Sequence, residues 1–542
     1  MTNQSSRDNK EYRNLATNTF FSFMFNYSSL FFTFVYSFLL ARLFTDALWG
    51  LLILVTSYIM IIVTITSLFP PGLNFALNYY IPRYLALNEK AKIKSLIRNS
   101  IILKLSLLIP IFIISILLFN IFSYFFIDTF VSLFFILSPL IFINSFNLIV
   151  LAINRSFNRF NYNFLFLTLK NGIHIIPLLV FFIFDIHIEI EIAAWIVLIS
   201  SIIPFLLNSL FVFIMVYKIK PIGNKPDSFK EDISKTFKYG SYIGFTDLIE
   251  RLSKESQVQG IGFIISPNVV TGYNIATNYQ KLGEYSIASF QFPLLTSFTK
   301  LNTKEIYEQI DIIYRVAYKI TLFLLLIISG ILFFSVEFVL DFVFLETRLI
   351  YSNYLRLIVL ASIFQVLAIF VQTYFNAQHK VKLSLILRIF YTSISIPLFF
   401  IGLYNDGVEG AIFWGLIVGN ILSMVIQIFA IYKFGNIKLN IKGIILQYLT
   451  FFIPLIITIL LKDFIYKEAT LNLMENLGLS LFKKLDFLSL GTFLILFILM
   501  NLILKTVTSS DIKYFESFLN KEKFLDKYML KGLNILKRFT RG

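Results

Sequence analysis

The sequence predicts an all-α integral membrane protein with about 14 transmembrane helices, and three observations lead to that fold class. Hydrophobic residues make up 57% of the 542 residues and charged residues only 14%, whereas a soluble domain carries about 25% charge. Apolar runs of about 20 residues, the length that spans a bilayer, recur along the chain. Basic residues alternate between the two sides of these runs. Together these features predict a multi-pass protein of the cytoplasmic membrane.

Fourteen runs of sufficient length follow one another. The apolar run behind the polar N-terminus is about 25 residues, which is too long for the core of a signal peptide, and we take it as the first span. The predicted spans are Ala16–Leu40, Leu48–Phe69, Leu103–Phe126, Val131–Ile153, Phe164–Phe184, Ile192–Tyr217, Phe237–Ile265, Pro267–Phe298, Ala317–Phe344, Tyr354–Phe375, Leu383–Tyr404, Val408–Tyr432, Ile444–Leu461 and Phe487–Leu504.

The basic residues orient these spans. With a cytoplasmic N-terminus, and with residues near a span end counted with the adjoining loop, 36 of the 47 Lys and Arg residues fall on the inside, 7 outside, and four deep within spans. This bias follows the positive-inside rule and places both termini in the cytoplasm. The net charge of +16 is therefore explained by topology and not by nucleic-acid binding. In the tail, residues 506–542, apolar residues at helical spacing alternate with lysines, which predicts an amphipathic helix on the inner leaflet.

Composition also argues against several classes of protein. The chain has no cysteine and three histidines, so we expect no thiolate metal site and no cofactor. No GxxxxGK[ST] phosphate-binding loop is present. The predicted outer loops are short, and the longest is Lys462–Leu485. These features argue against a membrane glycosyltransferase or polymerase, and we expect a transporter that is not an enzyme.

An internal repeat is indicated by matching pairs. Phe157-Asn158 and Lys170 recur as Phe375-Asn376 and Arg388 at one offset of 218 residues. Parallel repeats of this kind build transporters with a cavity between two halves. We expect an N-lobe at 1–220 (spans 1–6) and a C-lobe at 221–440 (spans 7–12), followed by extra spans at 441–505. Spans 13 and 14 either form a lateral groove for a lipid tail or only pad the bundle.

Spans 7 and 8 carry many charged residues, whereas the other spans are nearly charge-free. Ionisable groups at bilayer depth usually face a wet, protein-lined cavity. On span 7 the polar residues recur at i, i+3 and i+4 and share one face, and span 8 has a matching stripe. The residues of the span 7 face are Asp247, Glu250, Arg251, Lys254 and Gln257, and those of the span 8 stripe are Asn274, Thr277, Asn278, Lys281, Glu284 and Tyr285. Glu255 is a further charge on span 7.

Two interpretations of these charges remain open. In the first, Arg251, Lys254 or Lys281 contacts a phosphate or an acidic sugar of the substrate. Arg251 lies roughly 20 Å into the span at about 1.5 Å per residue, near mid-bilayer. In the second, the charges only balance one another in a wet lumen, with Arg251–Glu255 and Lys281–Glu284 as intrahelical ion pairs.

A second basic group lies near the cytoplasmic edge. Lys170 and His174 are one turn apart on span 5, and Arg388 is the repeat partner of Lys170. These residues either snorkel to the surface or form a cationic entrance for a pyrophosphate head group. Arg83 follows the prolines Pro70 and Pro71 that break span 2. It either gates that entrance or is an ordinary inside-loop charge.

Several stretches resemble the polysaccharide flippase (Wzx/RfbX-type) branch of the MOP exporter superfamily. Leu39–Phe44 followed by Trp49-Gly50-Leu51 is similar to that family's junction of spans 1 and 2, and Gln257–Tyr273 is similar to its span 7–8 hairpin. Phe292-Pro293 followed by Phe298 is similar to the end of its span 8, and Gly410–Trp414 to the start of its span 12. The resemblance covers roughly residues 10–440. Where the family often has an aspartate in the hairpin, this chain has Glu255.

The resemblance implies a two-lobed flippase for a lipid-linked oligosaccharide, with a polyprenyl-(pyro)phosphate-linked glycan as substrate. Membrane lipid and glycan-assembly enzymes would be its partners. Two related functions stay open, a cation-coupled multidrug (MATE-like) exporter and a peptidoglycan-precursor flippase. The exporter usually has an acidic residue in span 1 or in the C-terminal half, and span 1 here has no acid.

Overall fold

The computed structural model describes residues 24–25, 27–67, 72–157, 159–220, 225–303, 307–378, 380–435, 437, 439–462, 487–504 and 506, which form helices and connecting turns without a strand. Several predicted features fall wholly or partly outside these residues: the polar N-terminus with the start of predicted span 1, the Pro70-Pro71 pair, Asn158 of the repeat, nearly all of the long outer loop, and the amphipathic tail beyond Thr506.

Seventeen α-helices are described within these ranges. In chain order they are α1 (Tyr27–Leu43), α2 (Asp46–Thr66), α3 (Leu73–Ala86), α4 (Lys90–Phe122), α5 (Asp128–Leu137), α6 (Leu140–Ser156), α7 (Phe160–Ile183), α8 (Ile190–Tyr217), α9 (Phe229–Ile264), α10 (Pro267–Thr303), α11 (Tyr307–Val339), α12 (Ser352–Ile363), α13 (Gln365–Ala377), α14 (Val381–Gly410), α15 (Gly419–Phe434), α16 (Ile441–Leu461) and α17 (Phe487–Leu504). Short 3₁₀ and π segments join some of them.

Ten helical runs in the described part of the chain are long and apolar enough to cross a membrane, and α1 is a shorter apolar helix. One run, Val381–Phe434, covers predicted spans 11 and 12, which are separated by a kink at Gly407 with φ 67°. The helices α9 and α10 coincide with predicted spans 7 and 8 but carry too many polar residues to meet the apolar criterion. The all-helical membrane class is confirmed, and the count of 14 stays a prediction.

Two elements differ from the sequence-based expectation. The segment before span 3 was expected to be a loop, but it folds into α3 and the first turns of α4. Hydropathy does not reveal these helices because Asn, Tyr, Arg and Lys alternate with their apolar residues. Predicted span 4 is two helices, α5 and α6, which are broken at Ser138-Pro139, where proline removes a backbone donor.

The chain divides into two compact units, residues 1–274 and 275–542, and the boundary falls within α10. In the first unit, apolar side chains of α3, α4, α6 and α8 form a core. It includes Leu77, Ile81, Ile93, Ile97, Ile153 and Val212. The predicted lobes at 1–220 and 221–440 stay a prediction.

The core of the second unit is rich in aromatic rings. It joins α10, α11, α13, α16 and α17 through Phe298, Tyr314, Phe370, Tyr374, Phe451 and Phe493, among others. Helices α11 and α17 approach closely, because a Cβ at Gly330 would lie 1.9 Å from the Phe493 ring. Predicted spans 13 and 14 thus contribute buried rings to this core.

Candidate functional site

The helix that carries most of the predicted site, α9, has a well-defined start. Ser228 Oγ accepts a hydrogen bond from Glu231 N at 3.3 Å, and Glu231 Oε2 accepts one from Ser228 N at 2.9 Å. This capping box satisfies two backbone donors that a helix start leaves open. The helix then runs for 36 residues without a proline, and Pro267 occupies the first position of α10.

The helix α9 packs along α2 through small side chains and short polar contacts. A Cβ at Gly262 would lie 2.3 Å from Leu54 Cδ2, so only glycine fits there without a shift. Gln259 Nε2 donates to the Leu54 carbonyl at 2.7 Å, and Ser57 Oγ donates to the Glu255 carbonyl at 3.4 Å. These contacts fix the rotation of α9 about its axis.

The charged stripe of α9 lies beside this packed face and is partly exposed. Arg251 Nε lies 3.0 Å from Asp247 Oδ2, and Lys254 Nζ lies 3.2 Å from Glu250 Oε1. Both pairs are i, i+4 with the acid first, which is the favourable order. The side chain of Arg251 is 32% exposed and that of Lys254 is 68% exposed. Pairs this exposed are weak, so either cation can turn to an anionic ligand at small cost.

The predicted residues of α10 fall on both sides of the boundary between the units. Asn274 ends the first unit, and Lys281 and Glu284 lie in the second. Lys281 Nζ donates to Asn278 Oδ1 at 2.7 Å, and Gln280 Nε2 donates to Glu284 Oε1 at 2.9 Å. That the stripes of α9 and α10 line one cavity stays a prediction.

The four predicted entrance residues lie on three helices. Lys170 and His174 are on α7, and the His174 ring lies 4.2 Å, centroid to centroid, from the ring of Tyr36 on α1. Arg83 is exposed on α3. These three are in the first unit, and Arg388 is on α14 in the second, with its guanidinium 5.3 Å from the Tyr391 ring centroid.

Sequence reasoning missed a polar cluster at the start of α9, which we call the α9 clasp. It consists of Asp227, Asp232 and Lys235 on the α9 side, Tyr84 on α3, and Ser95 and Asn99 on α4. The spacing of Ser95 and Asn99, four residues apart, was a visible signal. Their partners lie more than 130 residues away in sequence, and no local pattern connects them.

A cavity of about 260 Å³ in the second unit was also not predicted. It lies between α11 and the start of α16, and Arg315, Lys319, Asn440 and Gln447 contribute to its lining. None of the predicted site residues lines it.

The fold of the chain is similar to that of several solved transporter structures. The chain superposes on the lipid II flippase MurJ in an inward closed conformation with a TM-score of 0.63 and 17% identity, covering 90% of this chain and 98% of that one. For an inward-facing multidrug resistance MATE family transporter of the MOP superfamily, the TM-score is 0.60 at 18% identity, and the superposition covers 75% of this chain and 95% of that one. For a Vibrio cholerae MATE transporter it is 0.57, with 15% identity and coverage of 78% and 96%.

These likenesses define the class as a multi-pass membrane protein with the MOP transporter fold. The sequence profile of the polysaccharide biosynthesis protein family matches residues 15–298, which is just over half of the chain. The chain belongs to the polysaccharide biosynthesis protein family, as its motifs indicated. No curated protein matches it.

Proposed function

We propose that this protein moves a lipid-linked oligosaccharide from the inner to the outer leaflet of the cytoplasmic membrane by alternating access. The observation that carries the proposal is the family match over residues 15–298, a range that contains the whole charged stripe of α9. A polyprenyl-(pyro)phosphate-linked glycan combines an apolar tail with an anionic head group. The tail stays in the bilayer while the head group passes through the protein.

The cations of the stripe match this head group. Arg251 presents a planar fork of donors suited to phosphate oxygens, and Lys254 and Lys281 act as point charges. Asp247 and Glu250 lie within ion-pair distance of Arg251 and Lys254, respectively. A phosphate that enters the site would replace these carboxylates as the partner of Arg251 or Lys254. Each cation would therefore keep an anionic partner throughout binding. Glu255 and Glu284 offer acceptors for sugar hydroxyls, and Asn274 offers both a donor and an acceptor.

The direction of movement needs no ATP in this scheme. An inside-negative potential favours outward movement of an anion by about 2.3 kcal/mol per charge per 100 mV. The cations near the predicted cytoplasmic edge, Lys170, Arg388 and Arg83, would draw the head group in, with the His174 imidazole as a neutral hydrogen-bonding group beside Lys170. Glycan-assembly enzymes would deliver the substrate. In this scheme the protein makes or breaks no covalent bond.

A second candidate is a peptidoglycan-precursor flippase. The MurJ likeness covers 90% of this chain, against 75–78% for the MATE structures cited above. That difference favours a flippase over the multidrug exporter among the alternatives.

Complementation tests the proposal. In a strain that lacks its polysaccharide flippase, the wild-type chain should restore surface glycan. Arg251→Ala and Lys281→Ala should reach the membrane at normal levels. Because each loses one charge-assisted contact to the substrate, each should restore at least about tenfold less surface glycan than the wild-type chain. Lys382→Ala, an exposed lysine on α14, is the matched control and should behave as wild type.

Three other results have clear meanings. Full activity of both variants would show that these cations only balance the charge of a water-filled lumen and do not bind the substrate. Rescue of a strain that lacks its peptidoglycan-precursor flippase, without rescue of glycan, would favour the second candidate. Resistance to toxic cations without either rescue would identify an exporter.

A further inference from the structure

Asp232 is a carboxyl buried in the α9 clasp with half of its hydrogen-bonding capacity unused. The residue is 2% exposed. Its Oδ2 accepts from Ser95 Oγ at 2.8 Å and from Asn99 Nδ2 at 2.7 Å. Its Oδ1 is buried and has no hydrogen-bond partner among the described residues. An unsatisfied buried carboxylate oxygen is costly, and a proton removes most of that cost.

The charged groups around Asp232 do not supply a dedicated counter-ion. The charges that act on Asp232 from its own part of the chain are Asp227, just before α9, and Lys235 on α9, which form an ion pair with each other. On α3 the hydroxyl of Tyr84 donates to Asp227 Oδ2 at 3.2 Å. On α4 the contacts to Asp232 come from the neutral Ser95 and Asn99. The adjacent Lys92 lies 3.0 Å from Glu89 Oε2.

Burial raises the pKa of the Asp232 carboxyl, and the nearby Asp227 adds to the rise, while the hydrogen bonds from Ser95 and Asn99 and the positive charge of Lys235 oppose it. Asp232 precedes the predicted start of span 7 at Phe237, on the cytoplasmic side. If the clasp opens, Asp232 enters water and its pKa returns to about 3.9. The proton is therefore bound more tightly in the clasped state than in the open one.

We propose that Asp232 is a proton-binding site whose occupancy holds the first turns of α9 against α3 and α4. The proton binds at Oδ1, and Oδ2 keeps its two donors. Loss of the proton leaves a buried carboxylate without a counter-ion and loosens the clasp.

The direction of the pH response follows by linkage. A group whose pKa is raised in the clasped state stabilises that state at low pH. The stabilisation declines as the pH rises from about 3.9 through the raised pKa, and above that pKa the clasp changes no further. Proton binding at the predicted cytoplasmic start of α9 thus shifts the equilibrium between the clasped and the open state. This inference does not depend on which substrate is carried.

Distance measurements between spin labels test it. The chain has no cysteine, so Arg98→Cys on α4 and Lys230→Cys on α9, both exposed positions, can be labelled without other changes. In nanodiscs between pH 4 and pH 8, the labelled protein should show one short distance at low pH. A longer distance should gain population as the pH rises. With Asp232→Asn, which is permanently neutral, the short distance should dominate at every pH.

Either of two results would overturn the proposal. One is a distance distribution that does not change with pH in the labelled, otherwise wild-type chain. The other is the same pH response in Asp232→Asn, which would assign the titration to another group.

A second variant keeps the test decisive should Asp232→Asn fold poorly. Asn99→Ala removes a donor that favours the carboxylate, so the upper end of the pH response should move up by about one pH unit. If Asn99 had only a structural role, Asn99→Ala would instead lengthen the distance between the labels equally at every pH, and that result would contradict the proposal. Asn120→Ala, an exposed asparagine on the same helix, should match the unmutated chain.

Discussion

Lys104 shows at the scale of one residue how a charge can serve structure inside a membrane protein. It is 4% exposed, and its Nζ donates to the Thr66 carbonyl at 2.7 Å and to Thr66 Oγ1 at 3.3 Å. Thr66 ends α2, where the last carbonyls lack intrahelical partners and the helix dipole is negative. Thr66 Oγ1 also pairs with Ser145 Oγ at 2.9 Å. The lysine side chain therefore caps the C-terminal end of α2.

Lys104→Met should lower stability by about 1–3 kcal/mol, because it leaves buried acceptors at the end of α2 without their donor. The midpoint of thermal unfolding in detergent, followed by tryptophan fluorescence, measures the change. Arg98→Met, at an exposed position of the same helix, should leave the midpoint nearly unchanged. Equal midpoints for both variants would show that Lys104 does not stabilise the helix end.

At the scale of elements, α2 approaches the start of α10 so closely that only glycine fits between them. A Cβ at Gly50 would lie 1.8 Å from the Pro267 carbonyl oxygen, a backbone atom that cannot turn aside. Nearby, Thr271 Oγ1 donates to the Asp46 carbonyl at 2.9 Å. We expect Gly50→Ala to force these helices apart.

Gly50→Ala should destabilise the protein by about 1–3 kcal/mol, the usual cost of overpacking. Gly172→Ala on α7 is the same chemical change with no atom within 4 Å of the new Cβ. It should be neutral or stabilise by up to about 1 kcal/mol, because alanine favours the helix. The two unfolding midpoints, compared in one detergent, check this. A ranking in the opposite order would refute the close packing.

The sequence was a good guide to elements and a poor one to contacts between them. Apolar runs and charge alternation predicted the helical membrane fold, and motif order indicated the family. The polar helix α3 was missed because a hydropathy window averages over Asn, Tyr and Arg. The Asp232 contacts were missed because they depend on tertiary packing. The stripe of Arg251 and Lys254 was predicted as one face of α9, and its role as a binding site stays a prediction.

At the scale of the whole molecule, the alternation of inside and outside loops can be tested directly. Fourteen spans place Asp185 and Asp406 outside, and Lys90 and Lys382 inside. In the cysteine-free chain, single cysteines at the first two positions should react with a membrane-impermeant maleimide on intact cells. Cysteines at the other two should react only after permeabilisation. Labelling of Asp185→Cys but not Asp406→Cys on intact cells would mean that the span count changes between them.

The length of α9 has a mechanical consequence. Its 36 residues make a rod of about 54 Å, well beyond the roughly 30 Å of a hydrocarbon layer. Asp232 and Arg251 are 19 residues apart, or about 28 Å along this rod. A straight helix of that length moves as a rigid body, so a tilt at one end displaces the other end. Protonation at Asp232, near the predicted cytoplasmic end of α9, would thus displace the guanidinium of Arg251, which is predicted to lie near mid-bilayer, with no chain of intermediate contacts needed to carry the signal.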